Sequence, residues 1–309
     1  MFVTKYRKIF FLFSGILVAL SIYGIIAFGF NYSIDFTGGT LTEVKYNQNP
    51  PTLDTINSEL QTLNIGGFSV RPSGTNDFII RTKELSQDER SKLLGVISSV
   101  PDSTTNSLVL NTPNVERQDT IGPVAGAELK SKAIEAIAVV VIMIVLFVTF
   151  AFRKVSKPVS SWKYGLATVI ALFHDVIIPT GVFVFLGHFM GVEIDLLFVT
   201  GLLAILGYSV HDTIVVFDRV RENLKVNRDT GIKEEFDATV GKSVAQTFGR
   251  SINTSLTIFI TLLALYLVGS NATQDFALLL IVGIIVGTYS SIFVASPLLV
   301  TFQKWQKSK

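Results

Sequence analysis

The sequence predicts a polytopic α-helical membrane protein, with six transmembrane helices and a small extracytoplasmic α+β domain inserted after the first of them. Three observations carry that prediction. Of 309 residues, 49% are apolar and only 16% are charged, against roughly a quarter charged in ordinary soluble domains; the mean hydropathy is +0.51. Six apolar runs come close to the ~20 residues that a membrane-crossing helix needs. The stretch 31–128 has no such run and instead alternates short strand-like and helix-like patterns.

The first run, Ile9–Phe30, follows the basic start KYRK. It exceeds the usual 7–15-residue core of a signal peptide, and no A-x-A-like cleavage pattern follows, so it reads as an uncleaved anchor. The other five runs are Ala133–Phe152, Tyr164–Leu186, Leu196–Phe217, Ser251–Val268 and Phe276–Phe302, with Pro179 inside the third as an expected kink. Lys and Arg gather between the second and third runs, between the fourth and fifth, and at the C-terminus, whereas the loops GHFMGVE and GSNATQD have none. By the positive-inside rule both termini face the cytoplasm, and the long segment after the first span lies outside. The resulting division is 1–30, the N-terminus and first span; 31–128, the outer domain; 129–303, a bundle of the remaining spans with a cytoplasmic loop at 218–250; and 304–309, a cytoplasmic tail.

Within the outer domain, TLTEVKYN (Thr40–Asn47) alternates like a strand, and Leu53, Ile56, Leu60 and Leu63 have helical spacing. FSVRP and DFIIRT read as two strands around a turn. SQDERSKLLGVISS reads as a helix with Ser86 as N-cap and Glu89 three residues on, a capping box. SLVLNTPNVERQ returns as a strand. The order β-α-β-β-α-β is the ferredoxin-like split pattern, which by itself says little about function.

Composition excludes several functions. There is no cysteine, so disulfides, thiolate catalysis and cysteine metal sites are out. The three histidines form no HExxH pair, and no metal or cofactor is expected. A net charge of +2 without a basic, aromatic-interleaved patch speaks against nucleic acid as a partner. No nucleophile or paired-acid constellation marks an enzyme. An intramembrane aspartyl protease built on Asp175 and Asp212 would need a GxGD motif, and none occurs.

The informative residues are polar ones in apolar runs. The stretch GYSVHDTIVVFDRVREN (Gly207–Asn223) places Asp212 roughly 24 Å along the fourth span, with apolar residues continuing beyond it. Such acids are costly in lipid and mark function; the plainer alternative is a boundary carboxylate reaching water. Arg250 opens the fifth span and shares a face with Asn253, Thr254, Thr257 and Thr261, either a hydrated polar stripe or an ordinary anchor with packing contacts. Asp212 and Arg250 are expected to reach each other. His174 and Asp175 lie in the middle of the third span, as a structural hydrogen bond or a second relay point for protons. His211 lies about 100° around the helix from Asp212. Gly283 and Gly287, followed by Ser290 and Ser291, read as a close-packing face that pairs with the small face of the fourth span at Gly201. Gly38 and Gly39 in IDFTGG read as a tight turn or, more sharply, as a hinge, with Asp35 near the outer surface.

YSIDFTGGT (Tyr32–Thr40), GYSVHDTIVVFDRVREN and FGRSINTSLTIFITLLALYL (Phe248–Leu267) together resemble the SecF family, the membrane subunits of the bacterial SecDF protein-export complex in the RND superfamily. The resemblance covers nearly the whole chain. It implies an inner-membrane protein that acts with SecD beside the SecYEG channel, using proton flow to assist late steps in the export of unfolded polypeptide. It also implies that Asp212 and Arg250 take part in proton transport. Many members have Asn where this chain has His211, which leaves that residue either a proton shuttle within the shared mechanism or a local variation. Half of a small-molecule exporter and a purely structural assembly subunit stay open as other readings. The outer domain is short for the first, and nothing in the residues excludes the second.

Overall fold

The computed structural model describes residues 2–47, 50–99, 113–152 and 159–307. The chain divides into two compact units, Tyr32–Ile134 and the combination of Met1–Asn31 with Glu135–Lys309.

The chain begins with α1 (Phe2–Lys5) and α2 (Arg7–Phe28). The outer unit then opens with α3 (Ile34–Thr37), capped by Ser33, whose hydroxyl accepts from the Asp35 N–H at 3.1 Å. It continues through β1 (Gly39–Lys45), α4 (Leu53–Gln61), β2 (Phe68–Pro72), β3 (Asp77–Thr82), α5 (Gln87–Ser98) and β4 (Asn114–Ile121). The sheet order is β2-β3-β1-β4 with every neighbouring pair antiparallel, the topology the split pattern predicts. The strands FSVRP and DFIIRT fall on the expected residues, and α5 carries the expected capping box between Ser86 and Glu89. The strand expected from Ser107 onward is seen from Asn114; its residues 107–112 lie outside the described residues.

This unit buries Val44, Ile56, Leu60, Phe78, Ile80, Leu93 and Ile97 in one core. Leu53, expected on the inner stripe of α4, is the first residue of that helix and is 38% exposed, and the inner stripe is buried at Ile56 and Leu60. Tyr46 is fully buried and satisfies its hydroxyl by donating to the Ile97 carbonyl at 3.0 Å; burial pushes this phenol well above its ordinary pKa.

Gly38 and Gly39 adopt φ of 75° and 132°, a region that favours glycine. A Cβ on Gly38 would stand 2.7 Å from the Pro123 Cα, and one on Gly39 would stand 2.5 Å from the Thr82 carbonyl oxygen. The pair is a tightly packed turn where the domain's first strand starts beside the end of its last, which is the plainer of the two expectations for this motif. Asp35 lies beside Arg81. Burial, followed by the charge of Arg71, lowers the Arg81 pKa to about 10 against the opposing pull of Asp35.

The remaining elements are α6 (Pro123–Ala151), α7 (Ser161–Met190), α8 (Leu196–Asp229), α9 (Phe236–Val268), α10 (Asn271–Ser290), a π turn (Ser291–Ala295) and α11 (Ser296–Lys307). Six helical segments are long and apolar enough to cross a membrane. They extend the expected spans at their polar ends. The segment 218–250, expected as a cytoplasmic loop, is helical except at 230–235, since α8 runs to Asp229 and α9 starts at Phe236. Hydropathy sees only what suits lipid, whereas these extensions are held by packing. Phe217, Val220, Phe236, Val240 and Val244 join one core with Phe152 and Tyr164, and Asn223 donates to Ser243 Oγ at 2.8 Å and Gln246 Oε1 at 2.9 Å.

Close approach organises the bundle. A methyl on Gly201 would sit 2.6 Å from Leu279 Cδ2; Gly283 and Gly287 lie against Ile205 and Ser209. The expected pairing of the sixth span with the fourth is therefore present, with α10 on α8. The sixth span is not one helix, however. Pro297 has no N–H and its ring crowds the preceding turn, and the chain absorbs this by the π turn just before it. Pro179 likewise lacks an N–H for the Asp175 carbonyl four residues back, yet α7 runs on past it.

Candidate functional site

The site stands where α7, α8, α9 and α10 meet. Asp212 on α8 is 6% exposed. Its Oδ1 accepts from Ser251 Oγ of α9 at 2.6 Å, and its Oδ2 accepts from Ser291 Oγ at the start of the π turn. Asp175 on α7 is fully buried. Its Oδ2 accepts from Ser290 Oγ at 2.7 Å and from Ser209 Oγ of α8, while its Oδ1 faces His174 Nδ1 at 2.8 Å. Next to them, Ser255 Oγ of α9 lies 2.7 Å from the Tyr208 hydroxyl and 2.6 Å from Thr288 Oγ1.

Local sequence explains this placement. Ser209 and Asp212 are about one turn apart on α8, so they lie on one side of the helix, Ser209 against α7 and α10 and Asp212 against α9 and the π turn. Gly283 and Gly287 let α10 approach α8, and that approach brings Ser290 and Ser291 within hydrogen-bond reach of the two acids. A serine hydroxyl is short enough to fit between close helices, and hydrogen bonds to a carboxylate are among the stronger ones.

The electrostatics are unusual. Among the described residues neither acid has a Lys or Arg within ion-pair distance, and only His174 offers Asp175 a titratable partner. Two ionised carboxylates so buried would carry a desolvation penalty of several kcal/mol each. The serine hydroxyls and His174 supply the hydrogen bonds that offset part of that penalty.

The expected meeting of Asp212 with Arg250 does not occur. Arg250 is exposed, and among the described residues it has no ion-pair partner. The next residue, Ser251, turns inward and takes the acid. One step on a helix is about 100°, and the buried face of α9 carries Ser251, Ser255 and Leu262. Asn253, Thr254, Thr257 and Thr261 share the exposed side with Arg250, and the Thr257 and Thr261 hydroxyls donate back to their own helix at 2.8 and 3.1 Å. His211 is exposed too and does not touch Asp212. Ser209, Ser251, Ser255 and Thr288 were not singled out by pattern, and Ser290 and Ser291 were read only as packing. The available signal was an acid with a serine three residues earlier, together with a serine pair just past a close-packing motif. Among the described residues no group of three or more His, Cys, Asp or Glu gathers to hold a metal.

Fold and site define a class: a multi-pass membrane protein whose helix bundle holds two acids that, among the described residues, have no lysine or arginine at ion-pair distance. Residues 103–305 match the family model described as protein export membrane protein SecD/SecF, C-terminal, and residues 23–50 match the SecD/SecF GG motif, which includes Gly38 and Gly39. A protein translocase subunit SecF from Thermobaculum terrenum is 37% identical over 97% of this chain and 93% of its own. The SecDF protein of Thermus thermophilus is 35% identical over 95% of this chain, which spans 37% of that longer one. A crystal structure of SecDF from Thermus thermophilus, a translocon-associated membrane protein, superposes with a TM-score of 0.81 at 32% identity, covering 98% of this chain and 38% of that one. The chain belongs to the SecD/SecF family of protein export membrane proteins.

Proposed function

We propose that this chain is a non-enzymatic subunit of the Sec protein-export machinery, that it works with a SecD-type partner, and that Asp212 takes up and releases a proton to drive it. The observation that carries the reading is a membrane-buried carboxylate held by two serines on two other helices, with no lysine or arginine beside it among the described residues. Ionised, Asp212 draws Ser251 and Ser291 inward and ties α9 and the π turn to α8. Protonated, it releases that grip and lets the helices repack. One charge crossing about 100 mV supplies roughly 2.3 kcal/mol, enough to bias such a change.

The remaining parts follow from this reading. The protein sits in the inner membrane with both termini cytoplasmic and the α+β unit on the far side, in line with the positive-inside pattern. The outer unit handles unfolded polypeptide emerging from SecYEG and limits its backsliding. The exposed line of Arg250, Asn253, Thr254, Thr257 and Thr261 is too polar to suit acyl chains; it is the face of α9 turned toward the SecD-type partner, where Arg250 finds its counterion.

The test is export into vesicles that carry the complex with Asp212→Asn, with assembly checked in parallel. The variant is expected to lose the ΔpH- and voltage-dependent part of export while assembling normally. Retention of that part would overturn the reading and leave Asp212 a structural acid; loss of assembly as well would favour a structural assembly subunit.

A further inference from the structure

We propose that Asp175, with His174, is a second proton-binding site, and that the consecutive serines Ser290 and Ser291 couple it to Asp212. The inference rests on the reading of Asp212 as a proton carrier and extends it to another helix.

The first ground is the buried pair itself. His174 Nδ1 is 2.8 Å from Asp175 Oδ1, while His174 Nε2 is buried and has no hydrogen-bond partner among the described residues. With Nδ1–H donating to the carboxylate, Nε2 is a bare acceptor enclosed in the bundle. A proton taken at Nε2, with the Nδ1 proton released to Oδ1, leaves a neutral imidazole of the other tautomer and a neutral carboxyl. The pair gains one proton, and its charge falls from −1 to zero. A histidine serving only to satisfy a structural carboxylate would be expected to use its second nitrogen as well, because a buried unsatisfied polar atom is costly.

The second ground is the serine pair. Ser290 donates to Asp175 and its neighbour Ser291 donates to Asp212, so one step from the end of α10 into the π turn touches both acids. Each hydroxyl has a second acceptor at hand on its own helix. Ser290 Oγ is 3.1 Å from the Gly287 carbonyl, and Ser291 Oγ is 3.1 Å from the Thr288 carbonyl. Protonating an acid weakens its hold on a hydroxyl donor, and the serine then has a place to go. The π turn begins at Ser291, and Ser296 Oγ donates to the Ser291 carbonyl at 2.8 Å. A π turn carries one residue more than the α-helical ladder and is a common functional irregularity, so a shift at Ser290 is passed to Ser291.

The surrounding groups leave the two acids as the titrating centres. Around Asp175, α7 offers His174, α8 and α10 offer serines, and the Tyr289 ring stacks on His174 at 6.1 Å. The Tyr289 hydroxyl is engaged by Ser14 and the Phe10 carbonyl of α2. Around Asp212, α9 offers Ser251, and the Tyr208 hydroxyl is engaged by Ser255 instead. Arg250 and His211 face outward, and Lys304 of α11 lies 3.4 Å from Asp237. Two like charges held by adjacent donors oppose each other's ionisation, so the protons bind in steps that belong to the pair.

The test is infrared difference spectroscopy against pH on the chain with its SecD-type partner in lipid, reading the protonated-carboxyl bands lost in Asp212→Asn and in Asp175→Asn. Both bands are expected to titrate, and Asp175→Asn is expected to lower the Asp212 midpoint by about one pH unit or more. Ser291→Ala should shrink that shift, and Ser291→Thr, which keeps the hydroxyl, should restore it. An Asp175 band that does not titrate overturns the second site. Two bands that titrate independently overturn the coupling, as does a shift unchanged by Ser291→Ala. In these last cases the reading of Asp212 as a proton carrier would still stand; an Asp212 band that never titrates would remove both.

Discussion

The outer unit and the membrane bundle both bury apolar side chains, but among the described residues only the bundle buries carboxylates with them. Around Ile80 the outer unit encloses an apolar core, and its buried Tyr46 hydroxyl is satisfied by a backbone carbonyl. The bundle encloses Asp175, Asp212, Ser209, Ser290 and Ser291, and turns large apolar side chains such as Leu146, Phe147 and Ile260 outward. The reason is the solvent. Water drives apolar surface inward, whereas lipid is as apolar as leucine and gives no such drive, leaving polar bonds and close packing to join the helices. The outer unit's core is thus held together by apolar burial. On the reading proposed for Asp212, the bundle keeps groups whose charge state would alter its own packing.

Reciprocal substitutions test this contrast most severely. Ile80→Asp puts an unpaired carboxylate into the outer core and is expected to cost more than about 4 kcal/mol, seen as lost hydrogen-exchange protection across β1, β3 and α5 in the full chain. Asp175→Leu reverses the change in the bundle. It is expected to leave the thermal midpoint unchanged or raise it, because Ser290 can fall back on the Gly287 carbonyl, while proton-driven export is lost. A bundle that unfolds on Asp175→Leu would break the contrast.

A smaller effect is expected at the helix crossing. Gly283→Val forces a side chain onto Ile205 and should cost about 1–3 kcal/mol by overpacking. Export should fall further than stability, since the same crossing positions Ser290 and Ser291. Equal losses in both would show that the crossing serves packing only.

The smallest effect belongs to the outer unit. Ser86→Ala removes the cap of α5 and should cost about 1 kcal/mol, read as faster amide exchange in that helix with export unchanged. The Ser86 N–H and hydroxyl, with Lys83 adding to them, hold the Glu89 carboxyl below its ordinary range. Its folded pKa is therefore below the unfolded value of about 4.3, so its contribution is present above that value and is lost as pH falls through the folded one. Ser86→Ala should flatten this acid dependence.

Patterns of period two and 3.6 in the sequence determined the outer unit almost completely. FSVRP, DFIIRT and the Ser86 capping box lie where local rules place them, because strand alternation and capping are decided by neighbours in the chain. Apolar length determined the six spans for the same local reason, and a lone acid in such a run was enough to mark Asp212 and Asp175. Only the tertiary structure decided which groups meet the acids. The guanidinium of Arg250 and the hydroxyl of Ser251 are adjacent in sequence, and which of them faces Asp212 depends on the rotation of α9 against α8. Likewise Ser290 and Ser291 look like packing residues until the glycines of α10 bring them against α8 and the π turn before Pro297 sets their direction. Helix rotation and crossing are set by contacts between segments far apart in sequence, about which periodicity along one segment carries no information.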